Sequence, residues 1–233
     1  MEDPYRKLSR SEASDAVTRL GWRLVLGELR TEVRTGSLAL AADVAARAAT
    51  VAGAEGHLRL DVRADRVLLS LQTATAAWVT ERDVELARNI STVVDETRLE
   101  TVSGVGLDSG GERAVQVIEI GIDALDAAAI RPFWRAVLGY VDEPGRFGPW
   151  DGLVDPLGQG PAVWFQRMDA PRPQRNRLHL DVSVPHDEAE SRLGAALAAG
   201  GTMINDTRAP AFWVLADAEG NEACVTTWQG RDG

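Results

Sequence analysis

The chain has 233 residues, 45% hydrophobic and 26% charged, the balance of a folded protein with room for one large domain or two ordinary ones. Its net charge of −10 argues against a nucleic-acid partner, whose phosphates need a basic surface, and against docking on an anionic membrane. One cysteine, Cys224, excludes an internal disulfide and a cysteine-only zinc site. No apolar run reaches the roughly 20 residues of a bilayer span, and the acidic start Met1-Glu-Asp-Pro-Tyr5 lacks a secretion signal's apolar core, so a cytoplasmic protein is expected.

In chain order, Ser9-Arg-Ser-Glu12 is a capping box that opens a short helix, which Gly21 ends. Trp22–Leu26 alternates and predicts a strand, Gly27-Glu28 a turn, and Leu29–Val33 the second arm of a hairpin. Ser37–Val51, rich in alanine and leucine at helical spacing, predicts a helix. Leu58–Arg63 alternates strictly, Ala64-Asp65 turns, and Val67–Thr73 predicts another strand. Thr80-Glu-Arg-Asp83 caps a helix that runs to about Glu96. The order α-β-β-α-β-β-α predicts an antiparallel four-stranded sheet covered by helices. Ser103–Gly111, with four glycines and two serines, reads as a linker.

From about Arg113 to Gln229 the chain repeats itself. Val117–Asp123 precedes a helical run containing Phe133–Gly139. Arg177–Val184 precedes one containing Leu193–Gly201. Each half closes on short strands, ending at Ala162–Gln166 and Glu222–Thr226, and Pro-rich Asp169–Gln174 joins the halves. Gly139 and Gly200-Gly201 end the two helices. A strand, a helix and three strands used twice predict a cupped sheet around a small molecule. The repeat aligns Glu119 with His179 as inward polar side chains. The fold class is therefore α+β, an α-β-β-α-β-β-α domain followed by paired βαβββ modules.

Gly56-His-Leu-Arg-Leu-Asp-Val-Arg-Ala-Asp-Arg-Val67 and Leu71-Gln-Thr-Ala-Thr-Ala-Ala-Trp-Val-Thr-Glu-Arg-Asp-Val-Glu-Leu-Ala87, with Gly21-Trp22, resemble the pterin-4a-carbinolamine dehydratase family over about residues 8 to 95. The resemblance implies a lyase that removes water from a 4a-hydroxytetrahydropterin. Its pattern has two adjacent histidines and a proline before the third strand, and a histidine after the threonine that ends the fourth. Histidine suits the task because it both gives and takes a proton near neutral pH. Here Gly56, His57 and Leu58 fill the first three positions, and Ala74 follows Thr73. His57 is the one catalytic candidate, without the partners that would orient it, and the implied activity is weakened or lost. The bland reading of His57 is a polar residue left at a strand start. Trp78 is expected to fill part of the pocket.

Val117–Asp123, Phe133–Tyr140, Arg177–Val184 and Trp213–Glu222 resemble the glyoxalase, bleomycin-resistance and extradiol-dioxygenase superfamily, also called vicinal oxygen chelate, in its glyoxalase-like subgroup. In metal-using members each repeat gives a ligand from its first and its last strand. Those positions are Glu119, Trp164, His179 and Cys224. Glu119 and His179 are competent ligands and Cys224 is a zinc ligand as thiolate, whereas tryptophan is none. Glu222 joins only by a shift of the strand. No cofactor is demanded; a divalent metal would rest on Glu119, His179 and Cys224. The alternative is a metal-free cup in which Glu119 and His179 hydrogen-bond each other or a ligand and Trp164 is a wall. Of Trp134, Trp150, Trp164, Trp213 and Trp228, most are expected in the core. His186 is read as a surface residue, and Asp217 and Asn221 as turn formers.

The expected organisation is a dehydratase-like domain over 1–100, a linker over 101–112 and a glyoxalase-like domain over 113–233. The expected partner is a small molecule, a pterin or another, and the dehydratase resemblance implies a homo-oligomer. The competing functions are the dehydratase, a non-catalytic binding or sequestering protein built on the cup, and a metal-dependent lyase or dioxygenase.

Overall fold

The structure, a computed structural model, describes residues 3–106, 112–171 and 178–230. It divides into two compact units, Met1–Val117 and Ile118–Gly233. Among the described residues no helix is long and apolar enough to cross a membrane.

In the first unit, α1 (Arg10–Val17) begins on the predicted capping box, with both the Ser9 and the Glu12 side-chain bonds made. Gly21 follows a one-turn 3-10 extension at φ 77°, where a Cβ would collide with the Thr101 carbonyl, so glycine is required there. A tight hairpin joins β1 (Arg23–Val25) to β2 (Glu28–Arg34). Trp22, read as strand, instead lies just before β1, fully buried, its indole N–H donating to Ser91 Oγ at 3.0 Å. Next come α2 (Leu38–Ala49), β3 (Leu58–Val62), β4 (Arg66–Leu71) and α3 (Glu81–Asp95).

The antiparallel order is β1-β2-β4-β3. β4 shows why one face is core: Val67, Leu69 and Leu71 are buried, while Arg66, Leu68 and Ser70 alternate outward. The sheet has a fifth strand that the sequence pattern did not predict, β5 (Thr101–Val102). Three-residue β1 spans only part of seven-residue β2, and β5 pairs with Glu32 and Val33 beyond it. In the predicted linker, β6 (Gly104–Gly106) pairs with β7 (Glu112–Ala114), which runs past the linker's predicted end, as a ribbon. The stretch between them lies outside the described residues.

The second unit uses one plan twice. β8 (Glu119–Ala124), α4 (Ala127–Leu138), β9 (Val141–Asp142), β10 (Leu153–Val154) and β11 (Ala162–Arg167) form the first module. β12 (Asp181–Ser183), α5 (Ala189–Ala198), β13 (Thr202–Asn205), β14 (Phe212–Ala216) and β15 (Glu222–Thr226) form the second. The sheet orders correspond: β8-β11-β10-β9 and β12-β15-β14-β13, each with its first and last strands parallel. Arg177 of the predicted second-repeat strand lies outside the described residues, and regular pairing begins only at Asp181.

The modules are stapled through the turn before β15. Asp217, buried, accepts from the Trp134 indole N–H at 2.9 Å, and Glu219 accepts from the backbone N–H groups of Leu125 and Asp126 at the start of α4, at 2.8 and 2.7 Å. Gly201 permits close packing at the end of α5, since a Cβ there would lie 2.5 Å from the Phe133 ring. Asp217 thus orders its turn, as expected, and also ties it to α4.

Candidate functional site

His57 closes the turn that leads into β3. Its backbone carbonyl accepts from Gln72 N at 3.0 Å, while Ala74 N donates to Gly56 O at 3.0 Å. The turn is thereby locked to the end of β4. The His57 side chain is 7% exposed and its Nδ1 lies 2.7 Å from Oδ1 of fully buried Asp83. The other oxygen of Asp83 accepts from Thr73 N at 3.1 Å, Thr73 Oγ1 at 2.8 Å and Thr80 N at 2.7 Å. The ionised carboxylate can only accept, so His57 Nδ1 is the donor, and in a neutral imidazole this tautomer puts the lone pair on Nε2. Tyr5 stacks on the imidazole with ring centroids 6.2 Å apart.

The expectation that His57 lacks an orienting partner is corrected. Asp83 was legible as the last residue of the α3 capping box, and the box is formed. The same carboxylate also reaches across to the histidine. Gly56 has φ 76°, a backbone disfavoured for a side-chain-bearing residue, and Ala74 opens a 3-10 turn. Trp78 is pinned nearby: its N–H donates to Leu8 O at 2.7 Å, and Arg10 lies over its ring.

In the second unit Glu119 and Trp164 sit on one sheet, Cys224 on the other, and His179 two residues before that second sheet's β12. Trp164 pairs opposite Gly121, and Glu119 opposite Ala162, so Trp164 and Glu119 share a face. A Cβ at Gly121 would lie 3.0 Å from the indole, so this glycine lets the ring lie against the sheet. Trp164 is nonetheless 40% exposed. On the other sheet Asp181 pairs opposite Cys224, and ligand atoms of His179, Asp181 and Cys224 all lie within 4.8 Å of one another. Among the described residues this is the one such group of three, and Glu119 is not in it. Nor do Glu119 and His179 hydrogen-bond to each other among the described contacts. Trp134 is buried and Trp150 and Trp213 pack on the core, whereas Trp228 is exposed beside His186, to which its N–H donates at 3.3 Å.

Residues 6–93 match the family model described as Pterin 4 alpha carbinolamine dehydratase, and residues 119–226 match the Glyoxalase-like domain. The chain is a fusion of a pterin dehydratase-like domain and a glyoxalase-like domain. Among solved structures, a glyoxalase/bleomycin resistance protein/dioxygenase family enzyme from Burkholderia phytofirmans PsJN is 19% identical, covering 47% of this chain and 95% of its own, with a TM-score of 0.39. A transcriptional coactivator/pterin dehydratase from Brucella melitensis is 26% identical over 38% of this chain and 98% of its own, with a TM-score of 0.35. A glyoxalase-related enzyme from Fulvimarina pelagi is 19% identical over 48% of this chain and 86% of its own, with a TM-score of 0.36. No curated protein matches the chain.

The glyoxalase-like domain does not fit a chelate drawn from both repeats. The indole of Trp164 has an N–H donor and no lone pair for a metal. Glu119 stands outside the His179, Asp181, Cys224 group. Sequence reasoning missed Asp181 and Gly121. The signal for Asp181 was its place two residues after His179, in a segment that the alternating sequence predicts as a strand.

Proposed function

We propose that the dehydratase-like domain removes water from a 4a-hydroxytetrahydropterin with His57 as its one proton carrier, and does so slowly. The observation that supports this reading is the His57–Asp83 pair, held by Thr73 and Thr80. Dehydration takes a proton from a ring nitrogen and gives one to the departing hydroxyl. An imidazole whose Nδ1–H is fixed on a carboxylate presents Nε2 for both transfers and ends as it began, so the protons balance. A positioned general acid–base contributes about 10²–10⁴-fold, and without imidazoles at Gly56 and Ala74 the low end is expected.

The test is dehydration of substrate generated in place, followed with whole protein, His57→Ala and buffer. A rate above buffer that disappears in His57→Ala supports the reading. A rate equal to buffer overturns it. Asp83→Asn, which keeps the shape and loses the charge, is expected to lower kcat more than it raises KM.

A second reading is favoured by the exposure of Trp164: a small-molecule binding cup in the glyoxalase-like domain, with Glu119, Trp164, His179 and Cys224 at its walls. A half-open indole beside a carboxylate offers a flat apolar surface with a polar anchor. Quenching of tryptophan fluorescence by a ligand, lost in Trp164→Ala, is its test. The reading also includes a cytoplasmic protein that self-associates, supported by the lone Cys224 and by edge strand β3 with Val62 exposed.

A further inference from the structure

We propose that the second repeat of the glyoxalase-like domain binds a zinc-class divalent cation by itself, through His179, Asp181 and Cys224. The site departs from the two-sheet chelate implied by the resemblance. Asp181 and Cys224 lie on paired strands of one sheet and His179 just before the first of them, and Asp181 occupies a position that the resemblance leaves unassigned.

The backbone sets the spacing. Asp181 and Cys224 are opposite residues of parallel strands β12 and β15, and Cys224 N donates to Leu180 O at 2.9 Å just before that pair. Opposite residues on paired strands project to one face about 5 Å apart. His179, two residues before Asp181, brings a ring nitrogen to within 4.8 Å of both other donors. Tetrahedral zinc with bonds of about 2.0–2.3 Å separates its donors by about 3.5 Å. His179 and Asp181 are exposed, so their side chains have room to move towards buried Cys224.

The donor chemistry selects the ion. Imidazole, carboxylate and thiolate together suit a borderline cation and disfavour magnesium or calcium, which take oxygen ligands. Three protein ligands leave a fourth tetrahedral position open, and the exposure of His179 and Asp181 puts it on the accessible side. Binding transfers the Cys224 thiol proton to solvent, so affinity rises with pH. Trp164 and Glu119, on the other sheet, take no part.

The experiment titrates the whole chain with Co²⁺ as a spectroscopic probe and with Zn²⁺ in competition. The expected result is a thiolate-to-cobalt charge-transfer band that saturates at a single equivalent and is erased by Zn²⁺. Cys224→Ser removes the band. His179→Ala and Asp181→Asn weaken binding by about tenfold or more, while Glu119→Gln and Trp164→Phe leave it unchanged. Because His179 and Asp181 are exposed, their variants keep the test decisive even if Cys224→Ser misfolds. Absence of the band in the unaltered chain overturns the proposal. So does a band weakened by Glu119→Gln and indifferent to Asp181→Asn, which places the ion across both sheets.

Discussion

The two domains hold their chemistry-bearing residues in opposite ways. Around His57 the polar neighbours are committed: Asp83 is fully buried, and its oxygens take bonds from the imidazole, two backbone N–H groups and two threonine hydroxyls. In the glyoxalase-like domain Glu119, His179 and Asp181 are exposed, and Trp164 is 40% exposed. One cluster is assembled by folding itself; the residues of the other stay at the surface. A preorganised pair suits proton transfer, which rewards fixed geometry. Exposed side chains suit the binding role proposed for them, because they can reach a ligand or ion.

The contrast is broken most forcefully at Asp83. Asp83→Ala removes the α3 cap, takes the acceptor from the buried Thr80 N–H and leaves Thr73 N–H only its bond to the Trp78 carbonyl, at an expected cost of about 3 kcal/mol or more. Hydrogen exchange should speed up across α3 and β4 and stay unchanged in α4 and α5. Uniform exchange in all four elements would mean that Asp83 carries no structural load. At Trp164 the expectation is reversed. Trp164→Ala is expected to cost about 1 kcal/mol or less, because the ring lies on the sheet and not in the core. A thermal midpoint lowered as far as in Asp83→Ala would refute the picture of an open cup wall.

A smaller effect sharpens the comparison at the histidines. Diethylpyrocarbonate, followed site by site by mass spectrometry, is expected to modify exposed His179 quickly and His57 slowly. Tyr5→Ala should accelerate modification of His57 by severalfold, because Tyr5 stacks on that ring. No change at His57 would show that the protein interior, not Tyr5, shields it.

Much of this was legible in the sequence wherever the cause is local. The alternation of Val67, Leu69 and Leu71, the capping boxes at Ser9 and Thr80, and Gly139 with φ 69° at the end of α4 all act within a few residues. What escaped depends on residues far apart in the chain. The bond from His57 to Asp83 spans 26 positions and exists because the β3 turn and the α3 cap meet at the end of β4. Two-residue β5 has no periodicity to read; it forms on the length of β2 that β1 leaves open. Asp181 gains meaning only through its register with Cys224, which the repeat suggests but does not specify. Gly121 looks incidental until the indole of Trp164 is laid over it.

The smallest expected effect lies at a local motif and bounds the comparison from below. Glu12 is held well below the ordinary 4.5 of a glutamate, to about 2, first by the Ser9 backbone N–H, then by the Ser9 hydroxyl and Arg6. Because the folded value is the lower one, the unfolded chain binds this proton first. The stabilisation is therefore complete above about pH 4.5 and is lost as pH falls towards 2. The urea midpoint of Glu12→Gln should lie slightly below that of the unaltered chain at neutral pH, and the gap should close on acidification. Glu12 is solvent-exposed, so added salt should shrink the part contributed by Arg6 and leave the part made by the Ser9 N–H, a 2.8 Å bond within one turn of chain. A gap that widened on acidification would invert the sign and show that the capping box does not hold the carboxylate ionised.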